Sequence, residues 1–297
     1  MISEYNNTAL KVKKKSGTTG IYYNHNNNEK YGIITGATSG IGKAFAFHLA
    51  QQGFNLIITG RKPDVLKEVA SELKNKYDIK VIDIIADLAV KKDVINLLRT
   101  IENLKRIDIL INNAGYGLKE RFHQDEIGNQ LKMLRVHVTT PIILIHKVLT
   151  KMKKAHNGTI INVSSMGVYL PTAGNAMYIG TKSFLHNFTL SLHMDLQKYG
   201  IRVQCLCPGL THTDFHKNMG IAEGLSQNKW AGWMEANEVV RYSLTNLKND
   251  RVLCIPGRFN RIALALTSIL PANLLHKLSN LVKNLFIRSK ESMMPEN

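Results

Sequence analysis

Tyr178 and Lys182, four residues apart, are the side chains of this 297-residue protein best placed to move a proton. On a helix that spacing puts both on one face, one turn apart. A free phenol titrates near ~10 and is a poor acid or base at neutral pH. An ammonium held beside it favours the phenolate, so Lys182 is expected to pull that value down. Ser165, upstream in the pair Ser164-Ser165, adds a hydroxyl that can hold a substrate oxygen beside the phenol. Tyrosine and lysine at this spacing occur in many helices. The pair carries weight only through the elements that precede it.

Those elements begin at Tyr31, where Tyr31 to Gly36 reads as a short apolar strand. It runs into the turn Gly36-Ala37-Thr38-Ser39-Gly40-Ile41-Gly42 and then a helical stretch from Lys43 to Gln52. Glycines between a buried strand and a helix let the backbone approach a pyrophosphate, whose charge then sits at the helix N-terminus. Strands at 54–59, 80–86 and 109–112 alternate with helical patterns at 62–76 and 91–104. Further on, a long helix is expected at 175–199 and strands at 201–207 and 252–255. Strict strand–helix alternation predicts an α/β fold: a single Rossmann-type, doubly wound parallel sheet with helices on both faces and a C-terminal helical extension. The strand at 109–112 ends in Asn112-Asn113-Ala114-Gly115, a turn at the sheet edge where such folds bind ligands.

Composition sets the outer limits. An apolar fraction of 44% and a charged fraction of 21% are those of a globular protein. The net charge of +17 is spread along the chain without a DNA- or RNA-binding motif. It reads as a solvated lysine-rich surface, and nucleic acid is not an expected partner. Cys205, Cys207 and Cys254 form no CxxC pair and no His/Cys metal spacing, so no metal is expected. They stand in apolar, strand-like segments, buried and reduced, which fits a cytoplasmic location. Neither a secretory signal nor a run of about 18 apolar residues is present. Residues 1–30, rich in Lys and Asn, read as a flexible extension ahead of an α/β domain at 31–257. Residues 258–297 read as an amphipathic helical extension, with Leu274, Leu275, Leu278, Leu281, Val282 and Leu285 at helical spacing. Its basic face would suit an anionic membrane surface, and its apolar face a pocket or a dimer.

Thr35-Gly36-x3-Gly40-Ile41-Gly42, Asn112-Asn113-Ala114-Gly115, Ser165, Tyr178-x3-Lys182 and Pro208-Gly209 together resemble the short-chain dehydrogenase/reductase family, classical type. The tail after Pro256-Gly257-Arg258-Phe259-Asn260 is similar to its DltE-like branch. The resemblance implies a dinucleotide whose pyrophosphate meets Gly36, Ser39, Gly40, Ile41 and Gly42. It implies adenine contacts from Asp87 and Leu88, and nicotinamide-side contacts from Asn113, Ala114, Gly115, Pro208, Gly209 and Thr213. Tyr178 would exchange a proton with the oxygen of a carbonyl or alcohol, Ser165 would hold that oxygen, and Lys182 would tune the phenol and hold the ribose. NAD-using members tend to carry an acidic residue after the second strand, where this chain has Gly60-Arg61-Lys62. Arg61 can bind a 2′-phosphate with a charge-assisted fork, so NADP(H) is the expected cofactor.

One position departs from the family. Arg135-Val136-His137-Val138-Thr139-Thr140-Pro141 places His137 where an asparagine usually extends the lysine's proton relay. A histidine there can titrate near neutral pH and alter that relay, or simply fill a helix-bending position. The segment 214–234, with Phe215, Met219, Trp230, Trp233 and Met234, corresponds to the family's substrate lid, and its apolar side chains point to an apolar ketone, aldehyde or 3-oxoacyl substrate. Family habit implies a homodimer or homotetramer. A second reading is a cofactor-binding regulatory or scaffold protein with impaired turnover, which His137 keeps open while Ser165, Tyr178 and Lys182 argue against it.

Overall fold

The computed structural model describes residues 29–213, 215, 232–247, 249, 251–269, 271 and 274. The N-terminal extension, most of the lid segment and nearly all of the expected helix at 274–285 lie outside the described residues.

Seven strands form one sheet: β1 (Tyr31–Ile34), β2 (Asn55–Gly60), β3 (Val81–Ile85), β4 (Ile109–Asn112), β5 (Gly158–Val163), β6 (Ile201–Leu206) and β9 (Leu253–Cys254). Their spatial order is β3-β2-β1-β4-β5-β6-β9, and every pairing is parallel. Two short strands outside it, β7 (Thr211–His212) and β8 (Met234–Glu235), pair with each other. The helices are α1 (Gly40–Gln51), α2 (Pro63–Lys76), α3 (Lys91–Asn103), α4 (Ile127–Leu134), α5 (Thr140–Ala155), α6 (Ala176–Leu196), α7 (Ala236–Leu247) and α8 (Arg258–Ile269).

Alternate strand residues serve opposite faces, as the two-residue period of a strand requires. Ile34, Leu56, Ile58, Ile111 and Ile161 pack with Phe45 and Leu49 of α1, Leu66 of α2 and Val239 of α7. Ile33, Ile57, Leu110 and Ile160 pack on the other side with Leu97 of α3, Leu144 and Val148 of α5 and Leu196 of α6. Strands buried on both faces read as near-continuous apolar runs because each side chain meets a helix layer. The expected doubly wound parallel sheet is therefore the observed one. The order in which strands are added reverses between β1 and β4, so their C-terminal ends open a crevice.

Two local features were not anticipated. The chain between α4 and α5 is a π-helical turn, Arg135–Thr139. Pro141 has no N–H to offer the carbonyl of His137 four residues before it, which favours such a local widening. The other is a buried polar chain across the middle of the sheet. Asn112 Nδ2 donates to Asn162 Oδ1 at 2.8 Å, and Asn162 Nδ2 donates to Thr189 Oγ1 at 2.9 Å. It ties β4 to β5 and β5 to α6. Replacing Asn162 with alanine strands a buried Asn112 amide, so urea denaturation should show a loss of about 2 kcal/mol.

Candidate active site

The crevice at the ends of β1 and β4 deepens into a cavity of about 610 Å³. Of the residues expected at a site, all but Gly42 and His137 line it. Those two lie behind the wall and shape it.

At one end the turns after β1 and β4 are bolted together. Thr35 Oγ1 accepts hydrogen bonds from the N–H groups of Asn113 and Ala114, both at 3.0 Å. Asn113 Nδ2 donates to the carbonyls of Thr35 and Gly36, at 2.9 and 3.0 Å. The approach is so close that a Cβ on Gly42 would stand 2.1 Å from the Gly36 oxygen and 2.4 Å from Asn113 Nδ2. Gly36 and Gly40 also hold positive φ angles of 69° and 54°, which a side chain resists. These glycines keep a cradle of bare backbone at the N-terminus of α1, the shape and polarity that a pyrophosphate needs. A dinucleotide fits the residues present.

Further along, Asp87 is braced by its own loop, its Oδ1 accepting from Ala89 N–H at 2.9 Å. Leu88 is held by Thr140, whose hydroxyl donates to the Leu88 carbonyl at 2.8 Å. The Arg61 guanidinium lies over the Tyr116 ring, 5.6 Å from its centre, and both residues line the cavity.

At the other end α6 delivers Tyr178 and Lys182, and the turn after β5 delivers Ser165. Ser165 lines the cavity beside Tyr178, and its Oγ accepts from Gly167 N–H at 3.0 Å. Ser164 secures the assembly, its hydroxyl donating to the Lys182 carbonyl at 2.9 Å. Lys182 Nζ donates to the Val163 carbonyl at 2.8 Å and lies 5.9 Å from the centre of the Tyr178 ring. Phe215 packs against that ring with centres 5.6 Å apart.

The electrostatics differ from the sequence expectation. Burial pushes the Tyr178 phenol up to about 12, opposed by the neighbouring Ser165 hydroxyl. Burial likewise brings the Lys182 ammonium down to about 8. Lys182 directs its proton to a backbone carbonyl, and desolvation is the largest influence on the phenol. The protein alone thus holds Tyr178 as a phenol at neutral pH.

His137 is also other than expected. Burial and the neighbouring Lys182 charge hold its imidazole well below 6.5, so it is neutral rather than titrating near pH 7. Its hydrogen bonds define the tautomer. Nε2 accepts from Tyr116 N–H at 3.0 Å. Thr181 spends its hydroxyl proton on the Tyr178 carbonyl at 2.8 Å, so Nδ1, 2.9 Å from Thr181 Oγ1, carries the imidazole proton. His137 braces the Tyr116 loop against the helix bearing Tyr178 and Lys182. Tyr116 and Thr181 were not singled out from the sequence, and Thr35 entered only as the first residue of the glycine motif, without a role of its own. Their only signal was adjacency, to Gly36, to the Asn-Asn-Ala-Gly turn and to Lys182.

The comparisons with known proteins agree with this geometry. Residues 30–224 match the short chain dehydrogenase family, and the chain belongs to it. It is an oxidoreductase that acts between CH–OH and C=O groups, with a nicotinamide dinucleotide as its class of cofactor. It is 31% identical over 196 residues to an uncharacterized oxidoreductase of Staphylococcus epidermidis, covering 66% of this chain and 84% of that protein. In structure it is similar to a short-chain dehydrogenase from Sphingobium yanoikuyae in complex with NADPH, at 26% identity and a TM-score of 0.72, covering 82% of this chain and 97% of that one. It is similar also to the bulky-bulky ketone specific alcohol dehydrogenase from Comamonas testosteroni, at 25% identity and a TM-score of 0.67, covering 90% and 95%.

A histidine held neutral by the fold makes stability depend on pH. Below about 6.5 the unfolded chain binds a proton at His137 that the native state refuses, so stability falls as pH drops. Melting temperatures at pH 7 and pH 5 should show a smaller fall for His137→Asn than for the wild type. Equal falls would mean that His137 protonates freely.

Proposed function

We propose that this chain is an NADP(H)-dependent reductase of an apolar ketone or aldehyde, a 3-oxoacyl group included. The observation that carries the reading is the polarity of this cavity. Tyr178, Ser165, Lys182 and Phe215 stand at one end, and Arg61 and Lys62 at the other. The bound dinucleotide would supply the hydride. Gly36, Ser39, Gly40, Ile41 and Gly42 would hold its pyrophosphate, Asp87 and Leu88 its adenine, and Asn113, Ala114, Gly115, Pro208, Gly209 and Thr213 its nicotinamide half. Arg61 favours a 2′-phosphate because the turn after β2 carries two cations and no carboxylate.

The proton side belongs to this chain. Ser165 donates a hydrogen bond to the carbonyl oxygen and aligns it with the Tyr178 hydroxyl. As negative charge develops on that oxygen, Tyr178 gives up its proton. Lys182 supports the phenolate that results, through its charge and its place one helical turn away. A phenol that stays protonated at neutral pH suits reduction, in which it begins as the donor. Phe215 against Tyr178, and the likeness to a dehydrogenase of bulky ketones, favour an apolar substrate.

We infer further that the chain pairs with a second copy through α4 and α6. Ile127 and Leu131 on α4, and Phe184 and Met194 on α6, are exposed apolar residues. Light scattering should give a dimer or tetramer for the wild type and a smaller species for Met194→Glu. A monomeric wild type would end that inference. Among the described residues no helix is long and apolar enough to cross a membrane.

Oxidation of NADPH by the purified protein, against aldehydes, ketones and 3-oxoacyl thioesters, tests the main reading. Tyr178→Phe should lower turnover by roughly 10²–10⁴-fold with little change in NADPH affinity. Arg61→Ser should weaken NADPH about 10–100-fold and leave NADH nearly unchanged. In a profile of kcat/KM against pH, reduction should decline above about 8, as Lys182 loses its proton, while Tyr178 keeps its own. Equal use of both nucleotides by the wild type and Arg61→Ser would contradict the assignment of NADP(H).

A further inference from the structure

Behind Ser165 and Lys182 lies a second cluster of reactive side chains, which the proposed reaction does not use. Cys205 and Cys207 are two residues apart at the end of β6, so their side chains share one face of the sheet. Both are 0% exposed, and their sulfurs are 3.6 Å apart. His186, on α6 and 8% exposed, turns toward them. One donor atom from each of the three residues lies within 4.8 Å of the other two. Tyr169 closes the group, its hydroxyl 2.7 Å from His186 Nε2. Around them the wall is apolar, formed by Met166, Leu253, Ile255 and Leu264.

The dimensions favour one kind of ligand. A separation of 3.6 Å is far beyond a disulfide bond of about 2.05 Å. It is close to the edge of a tetrahedron built on zinc–sulfur bonds of ~2.3 Å, which is about 3.8 Å. Sulfur and imidazole donors select zinc over the oxygen-seeking magnesium and calcium. Two thiolates and a neutral imidazole balance the charge of a divalent ion, so the filled site brings no net charge into its apolar wall.

We propose that His186, Cys205 and Cys207 form a buried zinc site beneath the active site, with the Tyr169 hydroxyl facing the fourth position. Filling it breaks two S–H bonds and forms two zinc–sulfur bonds and one zinc–nitrogen bond. Two protons leave to solvent, and nothing is oxidised or reduced. The ion would staple β6 to α6 directly under the residues that handle substrate. Cys207 precedes Pro208-Gly209, and the Pro208 carbonyl accepts from Met166 N–H at 2.9 Å, one residue beyond Ser165. The spacing of the cysteines gave no sign of a metal because the third donor stands on the preceding helix.

The test uses the full chain, stripped of metal and kept reduced, with Co²⁺ as the spectroscopic probe. One equivalent should produce thiolate-to-cobalt charge-transfer absorption and the visible bands of four-coordinate cobalt, both erased by Zn²⁺. Two protons should appear in weakly buffered solution for each ion bound, and Zn²⁺ should raise the melting temperature. Cys207→Ser and His186→Gln should each weaken Co²⁺ binding at least about 100-fold, and Cys254→Ser should leave it unchanged. If the wild type shows no charge-transfer band, or Zn²⁺ leaves its melting temperature unmoved, the site does not exist. Undiminished bands in His186→Gln, or their loss in Cys254→Ser, would overturn this ligand set. Should a variant fail to fold, the cobalt spectrum and proton count of the wild type still decide.

Discussion

The close approach of the turn after β1 to the turn after β4 governs much of what surrounds it. Gly42 can have no side chain because the Gly36 carbonyl occupies the space that a Cβ would fill. Asn113 donates two hydrogen bonds to Thr35 across the gap, so two strands far apart in sequence end at a common level. Everything the cavity offers is measured from that level. If the turns stood further apart, backbone N–H groups would face water instead of a ligand, and α6 would present its tyrosine to a differently shaped space.

At the other end of the cavity, desolvation rather than attraction sets the protonation states. Tyr178 and Lys182 are both disfavoured in their charged forms, so the protein alone carries a phenol and an ammonium near its threshold. His137 belongs to the same regime and is neutral for the same reason. Its two ring nitrogens are committed to Tyr116 and Thr181, which makes it a structural brace at a position where the family usually has an amide.

The sheet was legible from sequence because strands covered on both faces are nearly uniform in their apolar character, and the glycine-rich turn interrupts that pattern where the chain must bend. The cradle residues and the Ser165, Tyr178 and Lys182 group could be named because they stand at motif spacings. Physical interactions fixed only by the folded chain were not readable. The effect of Lys182 on the phenol depended on whether the ammonium or the burial would win, and sequence spacing says nothing about solvent. Thr181 became meaningful only once His137 was seen to need a proton acceptor. The π-helical turn had a visible cause in Pro141, but a proline near a helix start is also compatible with an ordinary helix. His186 was hidden most thoroughly, since periodicity on α6 says nothing about what a neighbouring strand carries.

Helix α7 has a consequence for how the molecule is made. It lies beyond residue 224, yet its Val239 and Val240 bury against the same cluster as Phe45 and Leu49 of α1. One face of the first strand–helix unit therefore stays uncovered while some two hundred residues are added to the chain. During synthesis this apolar surface is exposed to whatever else is nearby, and the sheet is finished on one side before the other. A late part of the chain thus shelters an early one, and folding on that face can be completed only after α7 has left the ribosome.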